Sequence, residues 1–367
     1  MNSSGQPEFN AGGKPPRLKR RGGIPLGAIW PLALVLVLAA AWSAYWYAGS
    51  AGAKEGFRRW QARQAEMGRN FTCGERRHGG FPFRFEMYCG DPRFEITHDG
   101  MTTIVRAKAV NTVSMAYLPN QVIAEFVGPL YIERDDGAVI ESTWDTSRMS
   151  MHVTPLGENA RPEISRADLE TANPLINIIP QPGRTAAAYR AESFQMHLRK
   201  SETAGYENGY DLALSSVKPE LQLADGRVNG ADNVSFIGGV SHARALYSGD
   251  WKQRLSDWRD AGGMLRVDAL RVASGDALGV LDGALRLDRE GRPEGRVNLT
   301  TAGLDVSKAA GEGGIGLPGL AAFSIGALGS PVEIEGRQAS RLGLRLQDGT
   351  LFLGPLGLTR VPSLTGQ

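Results

Sequence analysis

The sequence predicts a mainly β protein (α+β). An N-terminal transmembrane helix and stalk precede a large, mostly antiparallel curved sheet or barrel-like body with one or two short helices. Three observations carry this. No charged residue occurs from Gly22 to Ala53, a long apolar stretch. From Phe81 onward, apolar and polar residues alternate at a period of two, as in half-buried strands. Asp-Gly pairs punctuate the alternation at Asp99-Gly100, Asp136-Gly137, Asp225-Gly226, Asp282-Gly283 and Asp348-Gly349, where hairpin turns are expected.

Residues 1–22 form a polar, basic tail. Lys14, Arg17, Lys19, Arg20 and Arg21 face Glu8 alone, so the positive-inside bias places this tail in the cytoplasm. Residues 23–49 are the expected transmembrane helix, since about 20 apolar residues cross a bilayer. Trp30 at one end, and Trp42, Tyr45, Trp46 and Tyr47 at the other, suit the two interfaces. The rival reading is a signal peptide cleaved near Ala51-Gly52-Ala53, but the apolar run exceeds the roughly 7–15 residues of such a core. Either way the bulk of the chain is exported. Residues 50–70 read as a stalk helix, with Phe57 and Trp60 three apart and no breaker from Lys54 to Gly68.

Residues 71–367 are the exported β-rich domain. Phe83, Phe85, Met87 and Cys89 alternate with polar neighbours. The pattern returns at Leu265, Val267 and Ala269, at Leu285 and Leu287, at Val297 and Leu299, and at Leu342, Leu344 and Leu346. A helix is expected over Asp250–Ala261, where Trp251, Leu255 and Trp258 share a face and Gly262-Gly263 ends the run. Leu317–Leu328 is a weaker helix candidate. Leu156–Arg184, rich in Pro and Asn, reads as holding a loop, and no fixed-period repeat stands out.

The cysteines, Cys73 and Cys89, lie early in the exported part. In an oxidising compartment such a pair points to a disulfide. Free thiols, or a metal shared with His78 and His98, are the alternatives. A tight turn at Gly79-Gly80 would not set Cys73 opposite Cys89, so the bridge requires a wider loop or an irregular first strand.

Signals for chemistry are poor. Gly311-Glu312-Gly313-Gly314-Ile315-Gly316, with Glu335 beyond, has the letters of a dinucleotide fingerprint without the strand–turn–helix context. Gly239-Val240-Ser241-His242-Ala243 only partly matches a nucleophile elbow. No catalytic, cofactor-binding or metal-binding residue is assigned, and the expectation is a protein that is not an enzyme. The net charge of +2 implies no nucleic-acid partner. A long amphipathic sheet must bury its apolar face, close on itself, or offer the face to an apolar ligand. The expected partners are therefore the bilayer through residues 23–49 and a lipid ligand, with an envelope protein partner as the alternative.

Gly80-Phe81-Pro82-Phe83-Arg84 followed by Cys89, Trp258 to Gly263, the Leu287-Asp288 to Gly295-Arg296 hairpin, and Gly349 to Pro362 together resemble the bacterial family called domain of unknown function 2125. The resemblance implies periplasmic domains anchored to the inner membrane and brings no known activity. The plan is also similar to that of AsmA-like envelope proteins, which are associated with lipid transport and outer-membrane homeostasis. The Gly80–Arg84 motif itself reads as structural, with Phe81 and Phe83 filling the core and Arg84 facing solvent or a carboxylate.

Overall fold

A computed structural model describes residues 26–98, 100–154, 163–180, 186–203, 208–246, 251–303 and 329–366. The chain forms two compact units, 1–51 and 52–367. Helix α1 (Leu26–Glu66) starts in the first and ends in the second. It is the one helix among the described residues long and apolar enough to cross a membrane. In the first unit its side chains from Leu34 to Leu38 are at least half exposed, which is compatible with a helix that crosses a membrane. Trp42 stacks near Tyr45 at 5.4 Å and Trp46 near Tyr47 at 5.2 Å, grouping the aromatic residues of one end.

The second unit is a single sheet in which every described pairing is antiparallel. Its first half consists of long strands, most of them broken in the middle. These are β1 and β2 (Arg69–Thr72, Glu75–Gly79), β3 and β4 (Arg84–Gly90, Arg93–His98), β5 (Met101–Met115) and β6 (Leu118–Arg134). They continue with β7 and β8 (Val139–Thr143, Thr146–Thr154), β9 and β10 (Glu163–Ala172, Leu175–Ile179), and β11 and β12 (Ala187–Arg190, Ser193–Lys200). Then come β13 and β14 (Tyr210–Val217, Glu220–Gln222), and β15 and β16 (Val228–Gly230, Asn233–Val240). The two halves of each strand pair with the two halves of its neighbours. The long ladder runs β2-β3-β5-β6-β8-β9-β12-β13-β16, and the short one β1-β4-β5-β6-β7-β10-β11-β14-β15. The breaks align into a crease across the sheet.

The crease has a repeated construction. Asp91, Asn173 and Lys218 take positive φ, and each precedes a proline: Pro92, Pro174 and Pro219. The N–H groups of the three residues donate to the carbonyls of Lys108, Glu192 and Asp232. In return Ala107, Ala191 and Ala231 donate to the proline carbonyls. Proline brings no N–H, so it fits where a ladder is interrupted. The backbone thus bends without leaving these polar groups unpaired. In β6 the crease falls at Gly128-Pro129, a cis peptide.

The long ladder continues through β17 (Leu265–Ser274), β18 (Ala277–Leu287), β19 (Pro293–Ala302), β21 (Arg337–Gln347), β22 (Thr350–Leu353) and β23 (Leu356–Arg360), with β20 (Ser330–Ile334) also paired to β21. The described edges, β1 and β2 at one side and β15 and β23 at the other, do not pair with each other, so the sheet is curved but not closed. A 3-10 turn (Ala243–Leu246) and helix α2 (Trp251–Asp260) lie between β16 and β17.

Some expectations change. Within Leu156–Arg184, residues 163–179 hold β9 and β10, with Asn173-Pro174 bending the strand at the crease, and residues 156–162 and 181–184 lie outside the described residues. Asp282-Gly283 sits inside β18, not at a turn; a Cβ at 283 would meet the Arg296 carbonyl oxygen at 2.3 Å, so glycine serves close strand approach. In α2, Leu255 and Trp258 are buried, whereas Trp251 is exposed. The basic tail, Asp99, Asp250, the Gly311–Gly316 stretch and Leu317–Leu328 lie outside the described residues.

Candidate ligand groove

The register of the long ladder lines up one residue per strand on one face. From β3 to β12 these are Met87, Thr112, Ala124, Met149, Leu169 and Met196. From β13 to β21 they are Leu214, Phe236, Leu270, Leu281, Leu299 and Leu342. All but Thr112 are apolar, and most are only half-buried. At about 4.8 Å between strands the row is about 50 Å long. The opposite face is polar. Its matching row reads Asn111, Glu125, Arg148, Glu170, Gln195 and Ser215, with Arg148 paired to Glu125 at 3.2 Å.

The crease turns the short ladder over this apolar face. Tyr189 on β11 reaches across it, its hydroxyl 2.6 Å from that of Ser216 on β13. Between the ladders lies a cleft of about 540 Å³, bounded by Phe194, Leu214, Phe236 and Leu270 on one side and Tyr189 and Leu221 on the other. Ser147 and Thr171, beside the crease, satisfy each other's hydroxyls at 3.1 Å. The cleft therefore offers mostly apolar walls, with the Tyr189 and Ser216 hydroxyls paired to each other. Among the described residues, most of the row on this face stays partly exposed. The largest side chains almost wholly removed from solvent are Leu278 and Cys89.

Cys73 and Cys89 form a disulfide, with Cα atoms 5.5 Å apart. Both conditions set by the sequence are met. Gly79 pairs with Glu86 across a wide Gly80–Phe83 loop, and the first strand is broken at Cys73-Gly74, where it crosses the crease. The bridge pins the edge strand to β3 beside the crease. In that loop Arg84 donates its N–H to the Gly80 carbonyl at 2.8 Å, and its guanidinium lies 3.6 Å from Glu86. The Phe81-Pro82 peptide is cis. Phe81 and Phe83 do not fill a core; they are 51% and 60% exposed, because the loop lies at the end of the sheet, beyond the faces that could cover them.

Ser241 is 2% exposed and serves the connection between β16 and β17. Its hydroxyl accepts the Met264 N–H at 2.9 Å and its carbonyl accepts the Trp258 indole N–H at 2.7 Å. His242 Nδ1 is 3.2 Å from the same hydroxyl, and Ser241 is enclosed in this connection. A Cβ at Gly263 would lie 2.3 Å from the Trp258 ring, which accounts for the Trp258–Gly263 motif. Glu335 pairs with Arg271 at 3.0 Å on the polar side.

Ion pairs dominate that polar side. Burial pushes the Asp168 carboxyl up, but hydrogen bonds from Arg166 and His197 outweigh it and hold the group below its ordinary value. A hydrogen bond from Lys200 at 2.9 Å keeps Glu163 low as well, against its partial desolvation.

A family model described as an uncharacterized protein conserved in bacteria (DUF2125) matches residues 46–362. The chain belongs to this family. No curated protein matches it, and no solved structure matches it.

Proposed function

We propose that this chain is an inner-membrane-anchored protein whose periplasmic body holds the acyl chains of a lipid in the groove, without catalysis. The observation that carries the reading is the half-buried apolar row from Met87 to Leu342. Burial of methylenes is worth about 0.8 kcal/mol each, so such a lining needs no reactive group to bind a chain. The basic residues Lys14 to Arg21 support a cytoplasmic N-terminus. Ala51-Gly52-Ala53 lies within α1, which supports retention of the helix over cleavage.

The test is a photo-crosslinking amino acid placed at Leu214 or Leu281 on the apolar face, and at Ser235 on the polar face, in the full chain in cells. Phospholipid adducts at 214 and 281 but not at 235 are expected. Absence of lipid adducts at both apolar positions, or protein adducts there instead, would overturn the reading in favour of an envelope scaffold. An alkaline phosphatase fusion after Gly100 should be active and one at Lys19 inactive; the reverse would refute the orientation.

A further inference from the structure

Two neighbouring hairpin ends carry exposed apolar side chains. One is the Gly80–Phe83 loop between β2 and β3, with Phe81 and Phe83. The other is the β5–β6 turn, where Tyr117 is 68% exposed, Leu118 40% and Met115 37%. The two ends touch: Ala116 donates its N–H to the Phe83 carbonyl at 2.8 Å, and Arg84 is the register partner of Met115. Together they make one patch of aromatic and aliphatic groups, edged by the cation of Arg84. Aromatic rings with a polar or cationic rim suit the headgroup layer of a bilayer.

The location of the patch in the body says which surface it meets. Residues 52–66 of α1 lie along the edge of the sheet. Gln61 donates its side-chain N–H to the Phe71 carbonyl at 2.8 Å, Phe57 packs edge-on to Phe71 at 5.8 Å, and the Arg76 guanidinium lies 4.8 Å from the Phe57 ring. Further back along the helix, Lys54 is near enough to His78 to help burial keep that imidazole below its ordinary pKa. Going from Gln61 back to Lys54, the neighbouring strand thus runs forward from Phe71 to His78. Two residues later it reaches the Gly80–Phe83 loop. The patch therefore lies at the end of the body that holds Lys54, near Gly52 where the body's chain begins.

We infer that the paired hairpin ends, with Phe81, Phe83, Tyr117 and Leu118, form a second membrane contact, seated in the interfacial layer of the bilayer that α1 crosses. Strand β3, which opens the apolar row at Met87, starts from this contact, so one end of the groove adjoins the lipid surface. The inference rests on the membrane reading of α1 and stands whether or not the groove holds lipid.

The test uses the full chain in vesicles of phosphatidylethanolamine and phosphatidylglycerol, never reduced, so that the native cysteines stay bridged and an added cysteine is the only free thiol. Nitroxide labels go on Tyr117→Cys and, separately, Phe83→Cys, with Asp276→Cys in the β17–β18 turn as the reference. Labels at 117 and 83 should show nickel-chelate collisions reduced severalfold relative to 276, while oxygen collisions hold or rise. Nickel access equal to that at 276 would overturn the inference. So would low access to both nickel and oxygen, since that marks a protein cover. Two independent positions keep the result interpretable if one variant folds poorly.

Discussion

Replacing Leu214 by Asp tests the groove most directly. Leu214 is central in the apolar row, flanked by Met196 on β12 and Phe236 on β16. Full burial of a leucine is worth about 1.5–3 kcal/mol, so a half-buried one has about 1 kcal/mol left to gain from a ligand. A carboxylate there must also be stripped of water when a chain lies over it, which costs at least about 2 kcal/mol. The sum, about 3 kcal/mol, is more than about a hundredfold in affinity. The body itself loses the burial Leu214 already has, about 1–2 kcal/mol, small against about 5–15 kcal/mol of typical stability. The control is Ser235→Asp, one position from Phe236 but on the polar face, opposite Arg271. The assay is lipid phosphorus retained per chain after purification, with displacement by fatty acids of increasing length. Leu214→Asp should lose its lipid and Ser235→Asp should keep it. Equal retention in both, or equal loss, would refute the assignment of the apolar face as the site.

Three further outcomes test the frame that holds the groove. Replacing both Cys73 and Cys89 by Ser should lower stability by about 3 kcal/mol in the chain-entropy model, read from urea midpoints in oxidised samples; an unchanged midpoint would mean that the bridge does not constrain the edge. Gly263→Ala forces a methyl into the Trp258 ring and should cost about 1–3 kcal/mol, whereas Gly279→Ala, with nothing within 4 Å of its new Cβ, should be tolerated; thermal melts compare them. Glu163, Asp168 and Asp288 have lowered carboxyl pKa values, so their stabilisation is complete above the ordinary carboxylate range of about 4 and is lost as pH falls through the depressed values. Urea midpoints should fall with acidification, and Lys200→Met should shrink the fall by removing the nearer of the two cationic partners of Glu163, Arg244 being the other.

The alternation of apolar residues exposed β3, β18, β19 and β21 in the sequence because those strands keep one face apolar over their length, whereas in β17 a bulge between Val267 and Leu270 moves Ala269 off the face of Leu265 and Val267. The crease hid the others. Asn173-Pro174 carries the composition of a loop, yet it bends a strand whose halves join different ladders. A signal was present in the equal spacing of Pro129, Pro174 and Pro219, each marking the crease in every second long strand. The apolar row could not be read locally, since each strand contributes one residue and only the register aligns them. Phe81 and Phe83 misled for a related reason. Alternation shows which residues share a face, but not whether the strand end projects past what would cover it.

The crease explains why an open sheet of this kind stays folded with its apolar face half bare. A closed barrel would bury that face and fill its interior with side chains. Here the bend brings the short ladder over part of the face, and the paired N–H and carbonyl groups of Asp91, Asn173 and Lys218 keep the backbone satisfied through the bend. Most apolar residues of the row keep only a minor share of their surface exposed, which forgoes roughly 0.5 kcal/mol each. Along the row this sums to about 5 kcal/mol, a sizeable part of the net stability of a typical domain. Such a surface is costly for a protein that never covers it. On the proposed reading, an acyl chain lying across the strands supplies the missing burial, and the polar face with its ion pairs keeps the other side in water. Ligand and sheet then complete one apolar core between them, which is how a sheet whose described apolar row stays partly exposed would both bind lipid and remain a single folded unit.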